Sequence, residues 1–523
     1  MSSQGLDIAA GIDLARQEMY GDWFRDPWGW PELTAINPED VDAEEDLAIR
    51  KTRNREFHLS NQPHFHLIEV PKTRLGVRPA VVQDPQSRLA YLSAVHAGLN
   101  GFHSDLPSWV YGWRMREPGT VAAGNAEWKS YVEDLPKSDD QENFGLLTDI
   151  TSFFASIRPE RIQQIVYSKM GKVTAAHIIM DVIRAHDSLS TRSGLPQRSF
   201  ASAVLAHTVM QPLDDSLAAA LENGGSIVRA RRWMDDISAE GEEGALFSLL
   251  IDLQERARLT GLEINASKTH LLPASETATM LRLEDLKKIK VPVQFVFGAY
   301  DSEPRPEPDL DILRHLEGAI LSEPRSVPRT LAKAVLVSLA ENREFTRCAE
   351  WLAAAKYLPH VADNLGRFIR AAVDEFGHQS LDVDNWFCEL QASKFGRLAW
   401  VSSQYSLIFD TEGMPRNVSE ALKGWLQNSE NIQQIAIAIQ RICTQNPVLG
   451  RNLIRARVDR TSDPILLRLY GLGLLMAGDS RTSVEDILTR DPRNHLLVKF
   501  LQRNAWAPPA VVKDFDESSS VND

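Results

Sequence analysis

The stretch "RRWMDDISAE", Arg231 to Glu240, sets Asp235 beside Asp236, behind an aromatic ring and a methionine, with Arg229, Arg231 and Arg232 crowding the approach. Adjacent carboxylates repel, so the ordinary place for such a pair is a turn or a solvated edge. The alternative is a divalent-cation site at a hairpin turn, where the ion's charge offsets that repulsion. Such a site needs a further carboxylate. "FGLLTDITSFFASI" supplies one: a short apolar run that reads as a strand delivers Asp149 at its carboxyl end, before a turn-like Thr-Ser pair. Two Mg²⁺ ions held by carboxylates in this pattern can activate a hydroxyl and stabilise charge on a phosphate during in-line displacement.

Elements must bring these residues together, and the chain reads in sections. Residues 1–60 form a mixed, charged N-terminal extension, read as irregular and partly helical. From 61 to 300, short β-rich runs alternate with helical ones, as in an α+β domain. "DSEPRPEPDLD", Asp301 to Asp311, is proline-rich and acidic and reads as a linker. The pattern from 301 to 510 is then almost wholly helical. Ile432, Ile435, Ile439 and Ile442 form one stripe at helical spacing, and Asp463-Pro464 opens another helix that Gly478 can end. Helices of similar length suggest a repeat-like, solenoid-like stack, although no sequence repeat marks its period. Residues 511–523 read as a disordered acidic tail.

Composition sets the outer bounds. Hydrophobic content of 43% and charged content of 24% are those of an ordinary globular protein, and 523 residues allow several cores. The net charge of -14 does not advertise nucleic-acid binding, but local clusters decide phosphate contact. Cys348, Cys388 and Cys443 match no zinc spacing and read as free thiols of a reducing cytoplasm. "MSSQGLDIAAGIDLARQEMY" lacks the features of a secretory signal, and "ILLRLYGLGLLMAG" is short and interrupted by Arg468, so no membrane association is expected.

Six segments in order carry a family resemblance. They are "VPKTRLGVRPAVVQDPQSRLAY", "YGWRMR", "LLTDITSFFASI", "SGLPQRSFASAVLAHTVMQPLDD", "RRWMDD" and "GLEINASKTHLL". Over 61–300 the chain resembles the reverse transcriptases, whose fingers and palm carry motifs of this kind. The resemblance implies a right-hand fingers and palm fold and an RNA-directed DNA polymerase using Mg²⁺, with Mn²⁺ as substitute. Asp149, Asp235 and Asp236 match the catalytic and metal-binding carboxylates, and Ile150 matches a metal-ligating backbone carbonyl. Lys72 and Arg78 match fingers cations that grip the triphosphate. Phe154 matches the gate that closes against a ribose 2′-hydroxyl, Gln197 a residue beside nucleotide and template, and Lys268 a lysine that assists pyrophosphate departure. Trp233 and Met234 match primer-side positions, and Arg198, Arg231 and Arg232 would lie against primer or template.

Two positions depart from the family pattern. Trp233 replaces a tyrosine, and Arg198 replaces the glycine that usually follows Gln197. An arginine there would alter or narrow the template channel. A divergent palm followed by a helical-repeat region is similar to the bacterial unknown-group and abortive-infection reverse transcriptases. That resemblance implies a cytoplasmic antiphage role, with dNTPs, an RNA template or associated non-coding RNA, and a DNA product as partners. It also implies templating or priming that departs from convention, and homo-oligomers are known among members. The alternatives are a conventional RNA-templated bacterial reverse transcriptase and a catalytically quiet scaffold that binds nucleic acid or phage protein. Two further motifs read as structural. "RDPRNH" fits an Arg-x4-His ribonuclease spacing, with His495 read as a surface residue. His64 and His66 in "HFH" share one strand face but lack a third ligand in sequence.

Overall fold

The computed structural model describes residues 5–19, 23–104, 106–117, 120–121, 124–134, 143–189, 194–222, 225–281, 289 and 309–509. Nearly all of the proline-rich linker, the acidic tail and most of 282–300 lie outside them. Sheets and helices mix as far as residue 281, and the segment 309–509 is helical among the described residues. The architecture is thus mixed α and β, with small sheets and many helices.

Two hairpins come first, β1 (Ile49–Lys51) with β2 (Phe57–Leu59) and β3 (Phe65–Pro71) with β4 (Val77–Gln83). Phe65, Ile68 and Val70 on β3 are buried while Glu69 is exposed, so the hairpin covers core on one side. It closes through Lys72 N–H to the Gly76 carbonyl at 2.7 Å, and Arg74 and Leu75 in the loop adopt left-handed φ of 61° and 59°. Asp84 then caps the helix Pro85–Ala97, accepting from the Ser87 N–H at 2.9 Å, with proline in the first turn.

The main sheet has five strands. β5 (Val110–Tyr111) lies at one edge, and a short β6–β7 pair (Met115–Glu117, Thr120–Val121) stands apart. β8 (Phe144–Thr148), β9 (Ile227–Trp233), β10 (Asp236–Gly241) and β11 (His270–Pro273) complete the sheet in the order β11-β8-β10-β9-β5. β9 and β10 are a tight hairpin, Trp233 opposite Asp236, so Met234 and Asp235 form the turn. β10 also pairs with β8, Ile237 opposite Thr148. The long helix Phe200–Glu222 packs on β9, and Glu243–Thr260 ends at Gly261 with φ of 80°.

In the helical part each helix packs on the next but one. Arg329–Glu341 meets Ala362–Phe376, which meets Ala399–Ser406, then Ile432–Gln445, then Pro464–Met476. The Ile432–Ile442 stripe is buried, Asp463 caps Pro464–Met476, and Gly478 follows that helix with φ of 87°. The stack's period is visible in its hydrogen bonds. Trp351 to Glu317 and Trp386 to the Leu352 carbonyl each span 34 residues, and Gln434 to Ser402 and Arg441 to the Phe409 carbonyl each span 32. A unit of about three dozen residues or slightly fewer is what a pair of stacked helices needs.

The N-terminal segment ties the halves together. Arg468, fully buried in the helical stack, pairs with Asp26 and Glu32, both also buried, and lies 4.1 Å over the Trp30 ring. Lys499 pairs with Asp46, and Arg503 with Asp40. Buried apolar side chains from Leu6 to Leu501 form one connected cluster. No helix among the described residues is long and apolar enough to cross a membrane. The three cysteines are free thiols.

Candidate active site

Asp149 follows the last residue of β8, and the register that pairs Thr148 with Ile237 sets it level with Asp236. The β9–β10 turn presents Asp235, with Met234 buried and held at a left-handed φ of 54°. The three carboxylates, far apart in sequence, thus meet at one end of the sheet. Asp149 is buried at 4% exposure, and its Oδ1 has no hydrogen-bond partner among the described residues. Its Oδ2 accepts from the Lys268 ammonium. Burial first, then the Asp149 charge, raises the Asp235 pKa; burial and the Asp235 charge raise that of Asp236. Because Asp235 and Asp236 share one field, they titrate as a pair.

The segment after Gly261 runs antiparallel to the Asp149 strand end. Asn265 N–H donates to the Asp149 carbonyl and Thr151 N–H to the Glu263 carbonyl, each at 2.8 Å, bracketing an Ile150–Ile264 bridge. In that arrangement Ile150 directs its own N–H and C=O away from the Glu263–Asn265 segment. Lys268 comes from the short 3₁₀ turn that follows. Burial alone would lower its pKa, but the Asp149 hydrogen bond and the neighbouring carboxylates outweigh it and raise it. Lys72, at the β3–β4 hairpin end, feels Arg78, Lys268, Asp235 and Asp149; burial, then the two cations, lowers its pKa. Lys268 thus touches the carboxylates, and Lys72 and Arg78 lie within their electrostatic reach.

Phe154 is half-buried, its ring edge-on to the buried Phe153 at 5.3 Å. Its backbone carbonyl accepts from Leu195 N–H at 2.9 Å. Gly194, with φ of 55°, comes so close that an added Cβ would sit 2.1 Å from that carbonyl oxygen. This close approach docks the segment carrying Gln197, which is half-buried, beside Phe154.

One expectation is corrected. Arg231 and Arg232 are buried and do not face a nucleic-acid surface. Arg231 is buried and pairs with Glu240 at 2.5 Å; Arg232, fully buried, pairs with Asp214 at 2.6 Å. Both faces of β9 are covered there, so strand alternation exposes neither guanidinium, whereas Arg229 is exposed. Arg232 instead donates to the Met234 carbonyl at 2.6 Å, which fixes the turn carrying Asp235. Its partner His207 donates through Nε2 to the Gly112 carbonyl at 2.6 Å and accepts through Nδ1. Burial, then the Arg232 charge, holds that imidazole neutral. Arg198 has a left-handed φ of 63°, as a glycine would, and its guanidinium lies 4.2 Å over the Trp23 ring.

Trp233 is packed among Trp128, Tyr131 and Gly112, with ring centroids 5.0 and 5.7 Å away. Sequence reading missed Asp214, Glu240, His207 and Trp23 as partners of this site. The buried-arginine network had one signal, the acidic Asp214-Asp215 pair closing the "SGLPQRSFASAVLAHTVMQPLDD" segment that also holds His207. The Arg-x4-His residues lie at the surface in separate ion pairs, Arg490 with Asp459 and His495 with Asp46. No protein-family model matches the chain, and a search of curated proteins finds no match.

Proposed function

We propose that the chain is a DNA-synthesising nucleotidyltransferase of reverse-transcriptase type acting in antiphage defence. The observation that supports this most is the meeting of Asp149, Asp235 and Asp236 at one sheet end, with Lys268 on Asp149 and Lys72 and Arg78 within electrostatic reach. Opposed clusters of this kind suit a triphosphate and the cations that accompany it.

The residues fit Mg²⁺. The donors are hard carboxylate oxygens and a backbone carbonyl, and Asp149 Oδ1 is a buried acceptor without a hydrogen-bond partner among the described residues. Asp149 and Asp235 would hold the ions, with Ile150 and Asp236 beside them; Mn²⁺ suits the same donors. Bound there, the metal would lower the pKa of a primer hydroxyl and neutralise phosphate charge. Lys72 and Arg78 bind and orient the triphosphate oxygens. Lys268, released from Asp149, places a proton near the departing pyrophosphate. Phe154 presents its ring to the sugar and excludes a 2′-hydroxyl by size. Arg232 and neutral His207 hold the turn, so the carboxylate geometry is set before substrate arrives.

Of the three cations that would hold nucleic acid at β9, Arg229 alone is exposed, and Arg198 is stacked on Trp23. That sparse footing favours restricted templating or priming over copying of arbitrary templates. The antiphage role rests on pairing such a site with a helical stack. The test is dNTP incorporation by purified protein with Mg²⁺ or Mn²⁺, followed by sequencing of product and co-purifying nucleic acid. No incorporation under any primer or template, with the fold intact, would leave the scaffold reading in its place.

A further inference from the structure

Away from the carboxylates, His64, His66 and Asp463 gather one ligand atom each, all within 4.8 Å of one another. Two come from the β3 end of the sheet-bearing half, the third from the helical stack nearly four hundred residues later. The backbone has arranged both rings on one side of the strand, as residues two apart must be. His64 Nε2 and His66 Nδ1 each lie 3.0 Å from the same oxygen, Asp463 Oδ2. The other oxygen, Oδ1, accepts the Ile465 and Leu466 N–H groups at 2.8 and 3.0 Å as the helix N-cap. That division fixes the carboxylate and leaves Oδ2 to the histidines.

We propose that His64, His66 and Asp463 form a zinc-class divalent metal site that clasps the β3–β4 hairpin to the helical stack. Ligands on tetrahedral zinc with bonds near 2.0 Å stand about 3.3 Å apart. Donors already gathered 3.0 Å from a shared oxygen need only small shifts to surround an ion. Two imidazoles and one carboxylate match zinc better than Mg²⁺, and three protein ligands leave a fourth position for water. The outer groups suit this charge. Asp84 accepts the His64 backbone N–H at 2.8 Å, and Asp491, which holds Arg493 at 2.6 Å, lies within electrostatic reach of His64. Three carboxylates against one guanidinium leave a negative balance for a dication. Hydrogen bonds to the far side of a ligating carboxylate are the usual orienting support.

The experiment uses full-length protein stripped with a chelator, then titrated with Zn²⁺ alone at neutral pH. Bound metal is counted after desalting, and thermal unfolding is followed with and without Zn²⁺. The expected result is one tightly held equivalent and a higher unfolding temperature. His66→Gln keeps an amide for hydrogen bonding but removes the imidazole, and should lose both effects while the metal-free protein still folds. Co²⁺ in place of Zn²⁺ should give visible absorption of a tetrahedral nitrogen–oxygen site, absent in His66→Gln. Wild-type protein that retains no metal, or a His66→Gln variant that binds and responds like wild type, would overturn the proposal. Polymerase activity is not a readout, so this result stands apart from the active-site reading.

Discussion

Replacing Arg468 by methionine should cost more stability than any surface change in the helical stack. The arginine is fully buried and forms ion pairs with two carboxylates that are themselves almost fully buried, Asp26 and Glu32. It donates to Asp26 at 2.8 and 3.0 Å and also covers the Trp30 ring. Methionine fills most of the same volume, so the loss is mainly electrostatic: two acids remain in the core without their cation. Breaking a buried pair from one side costs on the order of 3–5 kcal/mol. Neutralising the acids as well, in Arg468→Met with Asp26→Asn and Glu32→Gln, should recover most of that, because no charge is then stranded. Urea unfolding followed by tryptophan emission reports the change directly, since Trp23, Trp28 and Trp30 lie in the latched segment. An Arg468→Met protein with the wild-type midpoint would refute the latch, as would a triple variant no better than the single one.

Three more outcomes are expected. Phe154→Ala should admit ribonucleotides, narrowing the dNTP preference by about tenfold or more; an unchanged ratio in competition assays would make the ring plain packing. Gly194→Ala should lower the unfolding temperature, because a Cβ would meet the Phe154 carbonyl at 2.1 Å and φ is 55°; a neutral effect would contradict the close approach. Acid should destabilise the protein through His186, whose pKa burial lowers from 6.5 to about 4. The unfolded chain takes up a proton there first, so stability falls as pH drops from about 6.5 to about 4 and changes no further below that. The shift corresponds to about 3 kcal/mol, and His186→Gln should flatten the pH profile of urea midpoints across that window.

How much of this was legible in the sequence differs by residue. The stripe Ile432–Ile442, the Asp463-Pro464 helix start and the hairpin turn before Asp236 rest on local patterns, and the structure has them where those patterns lie. The fates of Arg231 and Arg232 were not legible, because nothing in a strand's own residues says that both its faces are covered. Asp214 and Glu240 are found only once the helix and hairpin are folded. Arg198 was hidden for a similar reason: its partner Trp23 stands in the N-terminal segment, which composition alone made look like a loose lead-in. The helical stack conceals its period because the recurring contacts use different pairs, Trp with Glu in one place and Gln with Ser in another. Geometry recurs there while residue types do not.

The most direct test of the polymerase reading is nucleotide incorporation by Asp235→Asn/Asp236→Asn protein, measured with labelled dNTPs beside wild type. Removing two crowded charges at a turn whose position Arg232 holds should leave unfolding unchanged or slightly improved. Wild type is expected to extend or initiate DNA in the presence of Mg²⁺ or Mn²⁺, and the double variant to incorporate nothing above background. Incorporation by the double variant at the wild-type rate would contradict the assignment of these carboxylates.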